Sequence, residues 1–129
     1  MVSISFTKPV IIIIVSLFLN TAPEICEDPS SLLVPINTPV VFTCKAHCPS
    51  SCSVHWFVNN VTIAHQHQRP QGVVLNHMIN HNDTRTHWLR LNATANFNNT
   101  QFHCLVELDS RGGPHRTSKT AILLVVRRK

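Results

Sequence analysis

From about residue 30 onward the chain is a series of short runs in which apolar and polar positions alternate, separated by Pro, Asn, Gly and Ser. A period of two residues is the mark of a strand with one buried face, and helix-period patterns are scarce. The segment Ser31–Pro35 supplies a first strand. Along Pro39–Ala46, Val40, Phe42 and Cys44 share one side. Along Cys52–Val58, Val54, Trp56 and Val58 share one side, and His55 and Phe57 the other. Asn59-Asn60 reads as a turn into a short run, Val61–Ala64, and Gly72–Ile79 is a further strand. In Thr86–Thr94 the apolar pair is Leu89 and Leu91, and in Thr100–Leu108 it is Phe102, Cys104, Val106 and Leu108 that align. Thr117–Val126 is the last strand. The expected fold is all-β, an antiparallel sandwich of seven to nine strands.

The N-terminus has a different composition. Lys8 precedes an apolar run from Pro9 to Leu19, short for a spanning helix, which needs about twenty residues. Length and flanks predict a secretory signal peptide over 1–22, removed near residues 20–25. The expected organisation is that leader, then one domain over 23–129 ending in the basic tail Arg127-Arg128-Lys129. No membrane span is expected apart from the leader. Four acceptor triplets, at Asn60, Asn82, Asn92 and Asn98, agree with export and a glycosylated surface. A secreted, extracellular setting in turn makes disulfides the default reading of the five cysteines.

Charge and chemistry narrow the function. Charged residues are only 13% of 129, and the formal net charge of +5 falls to +4 with Lys8 removed. Three of those positive charges sit in the terminal tail, with no continuous basic face, so nucleic-acid binding is not expected. Six acidic residues, three of them at Glu24, Glu27 and Asp28, leave no paired catalytic carboxylates. No Ser/His/Asp set or phosphate-binding Gly loop is readable, so neither an enzyme nor a cofactor is expected.

Cys44, Trp56 twelve residues on, and Cys104 sixty residues after Cys44 resemble the Cys…Trp…Cys frame of immunoglobulin-like domains, of the intermediate or variable-like set. The flanks "WFVNNVTI" and "LRLNATANFNNTQFHC" are similar to the stretches around the family's strands C and E–F. The resemblance implies a Cys44–Cys104 disulfide between the sheets, with Trp56, Leu89, Leu91 and Phe102 in the core. It covers residues 30–126. Where the family carries a tyrosine two residues before the second cysteine, this chain has Phe102, and it contains no Tyr at all.

Cys44, Cys48 and Cys52 are spaced C-x3-C-x3-C, which suits neither zinc nor iron–sulfur ligation well. The frame implies that Cys26 and the end of strand B lie at one pole. Cys26 then bridges Cys48 or Cys52, an option slightly preferred over a local Cys48–Cys52 link, and one cysteine is left unpaired. Nine histidines include His65 and His67, which share one side of a strand, but no third ligand is evident and no metal site is assigned. With Trp56, Phe102 and Cys104 inward, His55, Phe57, His103, Leu105 and Glu107 point outward. They are joined by strand G with Ile122 and Leu124, or Leu123 and Val125, and by the loop at Arg111. That face is the expected binding surface, for an extracellular protein partner or a homophilic contact, in adhesion or immune-type recognition. Two alternatives stand beside it. One is a truncated N-terminal structural module of a longer cell-surface receptor, which the end just after strand G favours. The other is a small-ligand or metal binder using the histidines.

Overall fold

A computed structural model describes residues 22–49, 51–64, 66–80, 83–108 and 114–127. Ten strands follow in order: β1 (Glu24–Glu27), β2 (Leu32–Pro35), β3 (Thr38–His47), β4 (Cys52–Val58), β5 (Val61–Thr62), β6 (Val74–Ile79), β7 (Thr84–Ala93), β8 (Thr100–Leu108), β9 (His115–Thr117) and β10 (Ala121–Val126). They form two sheets, β1-β3-β7-β6 and β2-β10-β8-β4-β5, with β9 also on β8. This is an immunoglobulin-like sandwich; with β1 and β2 counted as one divided strand, and β9 and β10 as another, the described residues hold eight strand positions, one more than the seven of the constant plan (β5) and one fewer than the nine of the variable plan.

The core follows from the alternation. Phe42, Leu89, Phe102, Val106 and Leu123 are buried, and the Cys44–Cys104 disulfide crosses between sheets with its Cα atoms 6.6 Å apart. Trp56 and Leu91 pack in the same cluster. Phe102 fills the family tyrosine's place by stacking on Phe42, with ring centroids 4.4 Å apart. The phenol's hydrogen bond is thereby replaced by an aromatic contact between sheets.

The expected first strand is preceded by a further short one, β1, and the expected last strand is divided, for local reasons. The first edge strand begins at Glu24 on β3, then crosses to run as β2 parallel to β10. Pro29, buried at the crossing, has no N–H with which to continue a ladder. The crossing segment instead serves the opposite sheet. Asp28 Oδ1 accepts from Lys119 N–H at 3.0 Å, and Ser31 Oγ accepts from Ile122 N–H at 2.9 Å. The last strand divides into β9 and β10 around Ser118. Its N–H donates to the Cys104 carbonyl at 2.9 Å, while its Oγ accepts from the Cys104 N–H at 2.9 Å. A hydroxyl thus takes a rung that the backbone cannot.

The turns explain much of the Asn content. Every non-glycine residue with positive φ among those described is Asn or Asp: Asn37, Asn59, Asn60, Asp83 and Asn99. Asn59 and Asn60, at φ 50° and 66°, form the two-residue β4–β5 hairpin turn, a geometry that favours Asn or Gly.

The expected Cys26 bridge is corrected. Cys48 pairs with Cys52, Cα atoms 6.1 Å apart, and Cys26 is a free, exposed thiol. The register of β1 on β3 shifts between Ile25 and Glu27, so Cys26 falls in a bulge while Ile25 packs on the core. A bulged residue is left out of the ladder. Cys48 is meanwhile held toward β7 by its N–H, which donates to the Asp83 carbonyl at 2.8 Å.

Candidate binding face

The β4–β8 pairing builds the face. Its register sets His55 opposite Leu105, Phe57 opposite His103, and Ser53 opposite Glu107. The intervening partners, Trp56 with Cys104 and Val58 with Phe102, are buried, so the first set projects from the outer side of the sheet. His55, Phe57, His103, Leu105 and Glu107 are all half-buried there. Arg111 and the loop around it lie outside the described residues.

Two contacts organise these side chains. The Phe57 and His103 rings stack with centroids 4.7 Å apart and planes 7° from parallel. Burial holds the His103 imidazole below its ordinary pKa, so the ring presents a neutral surface at physiological pH. His55 Nε2 meets Glu107 Oε1 at 3.2 Å along the diagonal of the ladder. This pair is partly exposed and contributes orientation more than stability.

Toward β10 and β2 the face becomes apolar and open. The last strand, β10, resolves to the first of its two options: Leu123 is buried, while Ile122 and Leu124 point outward. Leu124 lies beside Leu33 across the parallel β10–β2 ladder. Leu33 is 66% exposed, Leu124 41% and Val126 44%, making this edge the most accessible apolar part of the face. Leu33 was not legible as a member, because strand β2 joins this sheet only after the crossing at Pro29, whereas Val126 continues the Ile122 and Leu124 parity of β10.

The acceptor asparagines lie elsewhere. Asn92 is exposed on β7, in the opposite sheet, next to Pro39 of β3. Asn98 sits at the corner before β8, its Oδ1 accepting from Val125 N–H at 2.8 Å. Asn60 occupies the β4–β5 turn, and Asn82 lies outside the described residues.

The opposite sheet carries a second aromatic feature. Trp88 projects outward from β7, with the Arg90 guanidinium 6.0 Å from its ring centre. Its parity against buried Leu89 and Leu91 was the available signal. On the inner side of that sheet His77 and His87 pair across β6 and β7, with ring centroids 5.3 Å apart. Burial, then His77 and Arg85, lower the His87 pKa from 6.5 to about 4. A guanidinium beside two imidazoles opposes a bound cation. Among the described residues no three His, Cys, Asp or Glu side chains group as metal ligands. His65 lies outside those residues, and His67 sits in a 3-10 turn over Gln66–Gln68.

No family model and no curated protein matches the chain. Solved structures do. The N-terminal Ig1-2 module of the Drosophila receptor protein tyrosine phosphatase DLAR matches with a TM-score of 0.64 at 17% identity, over 84% of this chain and 50% of that one. Titin domains z1z2, in complex with telethonin, match with a TM-score of 0.62 at 21% identity, over 83% of this chain and 49% of that one. The N-terminal eight Ig domains of Down syndrome cell adhesion molecule match with a TM-score of 0.64 at 16% identity, over 80% of this chain and 12% of that one. The chain spans about half the length of the DLAR and titin structures. These likenesses show an immunoglobulin-like fold. Among the described residues no helix is long and apolar enough to cross a membrane.

Proposed function

We propose that the chain is an exported, N-glycosylated recognition module that docks onto an extracellular protein through the outer face of the β2-β10-β8-β4-β5 sheet. The leader over 1–22 would direct export, and residues 23–129 would be the working domain. The observation that carries this reading is the Phe57–His103 stack at the centre of the face, with Ile122, Leu124 and Leu33 projecting from the adjoining strands β10 and β2. An aromatic, preorganised centre with an apolar flank is what protein contacts favour. Glycans at Asn92 and Asn60 would rise from the opposite sheet and a turn, leaving the centre of this face free, while one at Asn98 would stand at the Val126 end of its apolar edge. The titin modules in complex with telethonin are an instance of the same fold engaging a protein.

The test is a binding screen of glycosylated, oxidised protein against cell surfaces, with sedimentation to read self-association. Phe57→Asp, Leu105→Asp and Leu124→Asp should each abolish a contact that Thr43→Asp, on the other sheet, leaves intact. If all three bind and self-associate as the parent does, this face is not the interface.

A second reading, a structural module of a longer receptor, draws support from the DLAR and DSCAM structures, in which this fold occurs in series. The full-length transcript distinguishes the two.

A further inference from the structure

We infer that the cleft at the β7–β8 corner is a built-in seat for the first sugar of a glycan on Asn92. This rests on the export and glycosylation part of the proposed function, and is independent of the docking face.

The cleft measures about 480 Å3, within the ~300–1,000 Å3 range of small-ligand sites. Its wall includes both Asn92 and Thr94, the two defining residues of one acceptor triplet. A sugar joined to Asn92 therefore starts at the mouth of the cleft. Phe97 and Pro70 supply apolar surface, and the amides of Gln71 and Asn96 supply donors and acceptors. None of the described residues lining it carries a charge. That combination suits a neutral acetamido-sugar, whose ring has an apolar face of C–H groups and a rim of hydroxyl and amide groups. Gly72 completes the fit. Its missing side chain would meet no heavy atom within 4 Å, so the wall is open there. At φ +88° that position favours glycine, which keeps it open.

Attachment requires a lipid diphosphate-linked oligosaccharide as donor. The Asn92 amide nitrogen bonds to C1 of the first sugar and gives up one proton, while the C1–O bond to the diphosphate breaks and the diphosphate leaves. The seated sugar then covers Phe97 and ties the loop before β6 to the β7–β8 corner.

The experiment uses secreted full-length protein carrying Asn60→Asp, Asn82→Asp and Asn98→Asp, so that Asn92 is the sole acceptor and each substituted side chain keeps an oxygen. Peptide mapping reads occupancy first. Melting is then compared between the intact glycan, the form trimmed to one N-acetylglucosamine, and the sugar-free form, with Asn92→Gln as a second sugar-free reference. The single-sugar form should melt several degrees above both sugar-free forms and close to the intact one, and NMR should show contacts from the acetyl methyl to the Phe97 ring. Phe97→Ala should erase the difference between sugared and sugar-free forms, whatever it does to the baseline. Gln71→Ala should reduce it. An occupied Asn92 whose single sugar neither raises the melting temperature nor contacts Phe97 overturns the seat alone. An unoccupied Asn92 overturns the seat together with glycosylation at that position.

Discussion

His103 lies flat on Phe57, ring against ring at 4.7 Å, in the middle of an outward-facing sheet surface. The register that places them opposite each other is the one that seals Trp56 against Cys104 one residue away. The surface pair and the core pair are thus positioned by the same ladder, and the exposed stack inherits the rigidity of the disulfide-bridged core.

One consequence concerns protonation. The His103 pKa is lowered by burial, and Phe57 is the ring that covers it. Phe57→Ala should move the His103 pKa up toward the ordinary imidazole value, read by NMR titration of the ring protons. Loss of the cross-strand contact should cost roughly 0.5–1 kcal/mol. An unmoved pKa would mean that the ring is shielded by something other than Phe57.

His87 sets an acid limit on stability. It binds a proton at about 4 in the fold, against 6.5 for an unperturbed imidazole. Between those values the unfolded chain takes up the proton and the folded chain does not. Stability is therefore complete above pH 6.5 and declines as pH falls toward 4. Discounted for the solvent reaching this ring, the loss is on the order of 1–2 kcal/mol. Denaturant midpoints across that window should fall with acid, and His87→Gln should flatten the slope. His77→Gln should shift the decline to lower amplitude, because it removes part of the repulsion.

The cysteines differ in accessibility and in what they hold. Alkylation of the native oxidised protein should modify Cys26 alone. Cys44 and Cys104 are 60 residues apart and Cys48 and Cys52 only 4. On loop entropy, removing the first bridge should cost about 4 kcal/mol and the second about 2 kcal/mol. The Cys48→Ser/Cys52→Ser protein should therefore fold, with a lowered melting temperature. Peptide mapping that found Cys26 joined to either residue would reject this pairing.

Ser118 is a small residue with a large expected effect. Its hydroxyl satisfies the buried Cys104 N–H. Ser118→Ala should leave that group unpaired and cost roughly 1–3 kcal/mol. Exposed Thr120→Ala, two residues on, should be nearly neutral in the same denaturant titration.

Legibility tracked the range over which each signal acts. The two-residue period is local, so it reported which side of each strand is buried and hence that His55, Phe57, His103, Leu105 and Glu107 share a face. The Cys–Trp–Cys frame pointed to the core, and Asn59-Asn60 to a turn. Three features depended on contacts between distant segments. The crossing at Pro29, secured by Asp28 and Ser31 on residues more than ninety positions away, brings Leu33 beside Leu124. The bulge that leaves Cys26 outside the ladder depends on how β1 meets β3. The cleft beside Asn92 depends on Pro70 and Phe97 arriving at one corner. Side-chain direction is set by the backbone's own geometry and can be read one strand at a time. Which strand forms an edge, and what lies next to it, is decided only when the whole chain closes.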